Sequence, residues 1–137
     1  RWAPTQEAGV AVRVVRLGSK RSDGEGIRIG TVRLPPRGIP KAEFSSRNWY
    51  EVWFPNVAPS KETMKLAQKA VTARQWIAFT RKYRAEMAAP ENRHSLALLA
   101  ALSHRTNFSV GCYCEDEARC HRSILRMLLA ENGAKIE

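Results

Sequence analysis

Residues 107–133 read NFSVGCYCEDEARCHRSILRMLLAENG, in which strand, turn and helix signals follow one another. Residues 107–113 form a short apolar run that predicts a strand. Residues 123–131 predict a helix, with Gly133 as its C-terminal stop. Between the two lies every cysteine of the chain: Cys112, Cys114 and Cys120 share one strand-to-helix turn with His121 and Arg122. In an α/β protein such a turn is a usual place to hold an anion or a reacting group.

Working outward, residues 10–17 (VAVRVVRL) mix alternation with β-branched residues and predict a first strand. Residues 18–26 (GSKRSDGEG) form a polar loop, and residues 1–9 are expected to be flexible. Residues 27–34 (IRIGTVRL) alternate Ile27, Ile29 and Thr31 with Arg28, Gly30 and Val32, which predicts a second strand stopped by Pro35 and Pro36. Residues 48–56 (NWYEVWFPN) suit an edge strand or packed loop, with Trp49 and Trp53 read as packing residues. Ser60, after Pro59 and before Glu62, starts a helix that is expected to reach about residue 71. Thr72 caps a second helix over residues 73–89, whose stripe of Trp76, Phe79 or Thr80, Tyr83 and Met87 faces the core. Pro90 ends it, and Asn92 is expected to cap a third helix through residue 102. Strands, then helices, then strand and helix give an α/β class: a single small Rossmann-like domain over residues 1–137, with a short, mostly parallel sheet flanked by helices.

A chain of 137 residues suits one core, and its 44% hydrophobic content is ordinary for a globular protein. No stretch approaches the roughly 20 apolar residues that span a bilayer, so no membrane partner is expected. Residues 1–9 lack the apolar centre of a secretory signal, and the expected location is cytoplasmic. The net charge of +10 favours polyanions without specifying one. Lys61, Lys65 and Lys69 stand at i, i+4 and i+8, and Arg74, Arg81, Lys82 and Arg84 follow, for a net of +6 over residues 61–84 once Glu62 is counted. These residues, Lys82 apart, are the candidate nucleic-acid-binding set; the bland alternative is a solvated helix face. Arg33 and Arg37 flank the Pro-Pro turn, and guanidinium groups bind phosphate or carboxylate in two-pronged fashion.

The cysteine turn admits four readings. An anion pocket would use the helix N-terminus with His121 and Arg122. A reactive thiol, Cys112 or Cys120, would use His121 as its base. A soft-metal site would use Cys112, Cys114, Cys120 and His121, although one residue between the first two cysteines departs from the usual zinc spacing. Packing alone would treat the thiols as small hydrophobes. A bridge between Cys112 and Cys120 is open, but an odd, clustered count does not resemble a disulfide framework. The phosphatase pattern of cysteine, five residues, arginine fails, because Cys120 stands where the arginine would be.

Residues 33–39 (RLPPRGI), then Trp53, Ala58-Pro59-Ser60, Cys112 and the triplet Cys120-His121-Arg122 resemble the bacterial and archaeal family called domain of unknown function 488. The resemblance covers residues 27–129, and its most specific piece is a cysteine separated by seven residues from a Cys-His-Arg triplet. It implies a compact cytoplasmic α/β domain and groups Arg33, Arg37, Cys112, Cys120, His121 and Arg122 as one site. The chain departs from the family pattern at Val32 and Pro35, where an acid and a tryptophan are usual, and at Cys114, where a glutamate is common. The resulting expectation is a pocket in which Arg33, Arg37 and Arg122 hold a phosphate ester, nucleotide or nucleic-acid end, with Cys112, Cys120 and His121 as the reacting groups and no resident cofactor. The alternative is non-catalytic nucleic-acid binding on residues 61–84.

Overall fold

The computed structural model describes residues 9–137; the expectation of a flexible 1–9 segment lies almost wholly outside them. Among the described residues, β1 (Val12–Arg16), β2 (Ile27–Gly30), β3 (Val52–Trp53) and β4 (Phe108–Cys112) form one sheet in the order β1-β4-β2-β3. All three pairings are parallel, so the expected α/β class holds. Four helices, α1 (Lys61–Lys69), α2 (Ala73–Met87), α3 (Pro90–Leu102) and α4 (His121–Glu131), accompany it. None is long and apolar enough to cross a membrane.

Parity along the strands divides the sheet. Val12, Ile29, Phe108 and Val110 share one core with Phe79, Tyr83 and Met87 of α2, Leu96 and Leu99 of α3, and Leu125 and Leu129 of α4. This face carries the helices because their apolar stripes need a partner surface of matching length. The other face presents Gly30 and Gly111 side by side in register. A Cβ on Gly30 would strike the Tyr50 ring, and one on Gly111 would stand 2.6 Å from the Val15 carbonyl. The missing side chains let the loops over residues 17–26 and 40–51 lie directly on the sheet. Gly26 is needed for a second reason: its φ of +79 suits glycine, and a side chain there would meet the Asn107 carbonyl.

Two boundaries that shape the site differ from expectation. First, β2 ends at Gly30 rather than at residue 34. Beyond it, one further backbone bond and two side-chain bonds hold the segment. The Thr31 N–H and hydroxyl both donate to the Gly111 carbonyl, at 3.1 and 2.9 Å, and the Trp53 indole N–H donates to the Val32 carbonyl at 2.8 Å. Second, α3 begins at Pro90, whose missing N–H is no loss at the first helical position. Asn92 lies inside that helix and donates instead to the Glu86 carbonyl at 2.9 Å, closing α2. Within β2, Ile27 is 48% exposed, whereas Arg28 is fully buried.

The helix starts follow their sequence signals. Ser60 accepts from the Thr63 N–H, and Thr72 forms a reciprocal cap with Gln75. Glu86 links the two helices by accepting from the Ser60 N–H at 3.0 Å, the Ser60 hydroxyl at 2.6 Å and the Thr63 hydroxyl at 2.8 Å. Burial raises the pKa of its carboxyl, but the Ser60 and Thr63 hydrogen bonds outweigh that and hold it below the usual carboxylate range. Glu86→Ala is therefore expected to destabilise the fold by about 1–2 kcal/mol, read from the urea midpoint. Because the folded-state value is depressed, this stabilisation is present above the unfolded value of about 4.3 and is lost as pH falls through the folded one. The difference between parent and variant should therefore shrink on acidification.

Candidate functional site

The site forms where β4 ends and α4 begins. Cys112 closes β4, Cys120 is the N-cap of α4, and His121 and Arg122 occupy its first turn. Cys112, Cys120, His121 and Arg122 are all at most 4% exposed, while Cys114 is half-buried. Strand alternation puts Cys112 and Cys114 on one side, with their Sγ atoms 3.6 Å apart. The ligating atoms of Cys112, Cys120 and His121 lie within 4.8 Å of one another. All three cysteines are free thiols, with no bridge between Cys112 and Cys120.

The sulfurs do not share charge equally. Hydrogen bonds from Cys112 and Cys114, with His121 alongside, hold the Cys120 thiol well below its ordinary range against the opposing effect of burial. Cys112 is pushed up by its contacts with Cys114 and Cys120 and by burial. For Cys114 the contact with Cys112 acts downward, but interaction with Cys120 and burial leave it raised. A thiolate at a helix N-cap is also favoured by the free N–H groups there.

Each neighbour of the cluster is fixed in place. The His121 Nε2 lies 2.8 Å from the Thr31 carbonyl, which can only accept, so this nitrogen carries the proton. Nδ1 is buried and has no hydrogen-bond partner among the described residues. The Tyr83 ring stands edge-on to the imidazole, at 5.8 Å between centroids, and its hydroxyl donates to the Val57 carbonyl at 2.5 Å. Arg122 donates to the Cys114 carbonyl at 2.7 Å and keeps a buried, unpartnered Nε. The acids of the turn are engaged elsewhere: Glu117 takes two hydrogen bonds from Arg126, Glu115 pairs with Arg16 at 3.5 Å, and Asp116 caps the Ala118 N–H.

A cleft of about 330 Å³ opens between this cluster and α1. Cys112, Tyr113 and His121 form one wall, the segment Val32, Arg33 and Leu34 a second, and Lys61, Met64, Lys65 and Gln68 of α1 a third. Among the described residues, no acid lines it. A second cleft, of about 500 Å³, shares Met64, Gln68 and His121 with the first and reaches Cys114, Cys120, Trp76 and Arg119.

The candidate residues read from the sequence divide accordingly. Arg33 reaches the cleft, but its guanidinium donates to the carbonyls of Pro59 at 3.0 Å, Ala58 at 2.8 Å and Pro55 at 3.2 Å, fixing the approach to α1. Arg37 is exposed on the Pro-Pro turn and does not line the cleft. Arg122 lies beneath the turn rather than in the cleft wall. Lys61 and Lys65, read from sequence as part of a nucleic-acid face, border the cysteine wall. Lys69, Arg74 and Arg81 are exposed beyond it, whereas Arg84 is held by two hydrogen bonds to Glu131. Gln68, Met64, Tyr113 and the Thr31 carbonyl were not anticipated. Only the position of Lys65 one turn from Lys61 hinted that this helix face borders a site.

Residues 12–133 match the family model described as the active DUF488-N3 subclade. Comparison with curated proteins and with solved structures finds no match.

Proposed function

We propose, from the premise that the chain belongs to the DUF488-N3 family, that the cleft recognises a small anionic ligand: a phosphate ester, a nucleotide or a nucleic-acid end. The observation that carries this reading is the lining of the cleft, which among the described residues has three cations, Arg33, Lys61 and Lys65, and no acid. Lysines at an exposed rim act as mobile point charges for phosphate, and the fixed Arg33 adds a constant field behind them. Val32, Leu34, Met64 and Tyr113 supply apolar walls, which suits a ligand with an organic portion over a bare ion. Cys112 and His121 of the sulfur cluster close the cleft beside these cations.

Calorimetric titration at low ionic strength, with pyrophosphate in one arm and a nucleoside 5′-monophosphate in the other, tests the reading. One site per chain is expected, with the mononucleotide the tighter ligand and affinity falling as salt rises. Absence of binding in both arms would sink the anion-cleft account.

A second reading, non-catalytic nucleic-acid binding, rests on the continuation of the cleft cations onto the exposed Lys69, Arg74 and Arg81. If those three and the two cleft lysines all neutralise phosphates of a single strand, the slope of log K against log salt should be roughly −3.5. A slope near −1 would confine recognition to the cleft.

A further inference from the structure

We propose that Cys112, Cys120 and His121, with Cys114 as fourth donor, form a binding site for one thiophilic divalent cation of the zinc type. The proposal goes beyond the anion cleft and does not depend on it; it gives the sulfurs a ligating role in place of a free-thiol one.

Geometry comes first. In a tetrahedral site with Zn–S bonds of about 2.3 Å, neighbouring sulfurs stand about 3.8 Å apart. The Cys112 and Cys114 sulfurs, 3.6 Å apart, are already at that separation. The trio of Cys112, Cys120 and His121, within 4.8 Å, needs to contract by at most about 1 Å. The unusual sequence spacing is no obstacle in three dimensions, because the donors come from a strand end and a helix start rather than from a single knuckle.

His121 supplies the second, independent observation. The residue is 2% exposed, its Nε2–H is fixed on the Thr31 carbonyl, and its Nδ1 lone pair is buried without a partner. A buried acceptor left without a donor is costly and needs an explanation. Ligating histidines use this same arrangement: a carbonyl holds the far nitrogen, sets the tautomer and leaves the other nitrogen for the metal.

The donor set selects the ion. Thiolates with an imidazole suit zinc or another soft ion, not magnesium or calcium. The carboxylates that a hard ion would need are held by Arg126, Arg16 and the Ala118 N–H. Three thiolates around a divalent ion carry an excess negative charge, and the buried Arg122, bonded to the Cys114 carbonyl, lies where it offsets that excess. Each ligating thiol that is still protonated releases its proton to solvent on binding, and no electron moves.

The test uses the reduced whole chain, stripped of metal by a chelator and titrated with Co²⁺ and then Zn²⁺. The expected result is one equivalent of Co²⁺, giving a thiolate-to-cobalt charge-transfer band and strong tetrahedral d–d bands, both removed by one equivalent of Zn²⁺. Cys114→Ser replaces a half-buried residue and puts folding at least risk; it should weaken affinity at least about 10-fold and reduce the charge-transfer intensity. His121→Gln should do the same while shifting the d–d bands. A parent chain that shows no charge-transfer band, or a band unaltered in Cys114→Ser, overturns the proposal.

Discussion

Arg28→Met is expected to lower the unfolding free energy by about 3–5 kcal/mol, because it strands a buried carboxylate. The Arg28 side chain is fully buried, and its Nε donates to the Glu25 carboxylate at 2.6 Å. Its other nitrogens donate to the carbonyls of Ser19 at 2.8 Å, Asn48 at 2.7 Å and Lys20 at 3.3 Å. One guanidinium thus fastens two loops to the helix-free face of the sheet. Burial raises the pKa of the Glu25 carboxyl, while the hydrogen bonds from Arg28 and the Ser22 N–H bring it below its usual range. With Arg28 gone, burial acts alone and the carboxylate becomes a liability at neutral pH. The stabilisation from Glu25 in the parent chain is present above about pH 4.3 and fades as pH falls through its lower folded value. In Arg28→Met that pH dependence should reverse. Urea unfolding with an unchanged m-value measures the loss. The double variant Glu25→Gln with Arg28→Met should recover part of it, because no buried charge is then left unpaired. A loss under about 1 kcal/mol for the single variant would mean that the pair is not buried in solution.

Reversing both cleft lysines, Lys61→Glu with Lys65→Glu, is expected to weaken anion binding about 100-fold without changing stability appreciably. Each reversal removes an attraction and adds a repulsion, so four unit charges change in the field of the ligand. At about 6 Å in a water-like dielectric each unit is worth roughly 0.7 kcal/mol, which makes a total of about 2–3 kcal/mol at low salt. That total corresponds to about 100-fold in affinity. Both side chains are exposed, so the fold should tolerate the change. The same reversals at Arg74 and Arg81, which do not line the cleft, should cost a mononucleotide little. Equal losses from the two pairs would mean that the ligand senses net charge rather than the cleft.

The stretch at residues 107–133 was legible because strand, turn and helix signals follow one another without conflict, and the last strand, the last helix and the Gly133 stop appear as read. The Ser60 and Thr72 caps were legible for the same reason: capping is local chemistry. Sheet order was not, because it depends on which strand β4 enters between. The burial of Arg28 was not legible for a related reason. In an alternating strand a charged residue suggests the solvent side, yet here that side is covered by loops that offer three carbonyls and a carboxylate. Arg33 was read as a ligand group because of its residue type; its guanidinium instead organises the backbone of residues 55–59, and its contribution to the cleft is a fixed field. Lys61 and Lys65 show the converse. Their spacing identified one helix face, but only the packing of α1 beside Cys112 and His121 makes that face a cleft wall.

If the cleft between α1 and the cysteine turn is the anion site, a bound nucleotide perturbs its lining before any other surface. Residue-resolved ¹H–¹⁵N NMR, with the chain titrated by a nucleoside 5′-monophosphate, tests it most directly. The predicted result is saturable shifts at Lys61, Lys65, Gln68, Tyr113 and His121, abolished by the double lysine reversal. Shifts confined to residues 69–84, with those five amides unmoved, would contradict it.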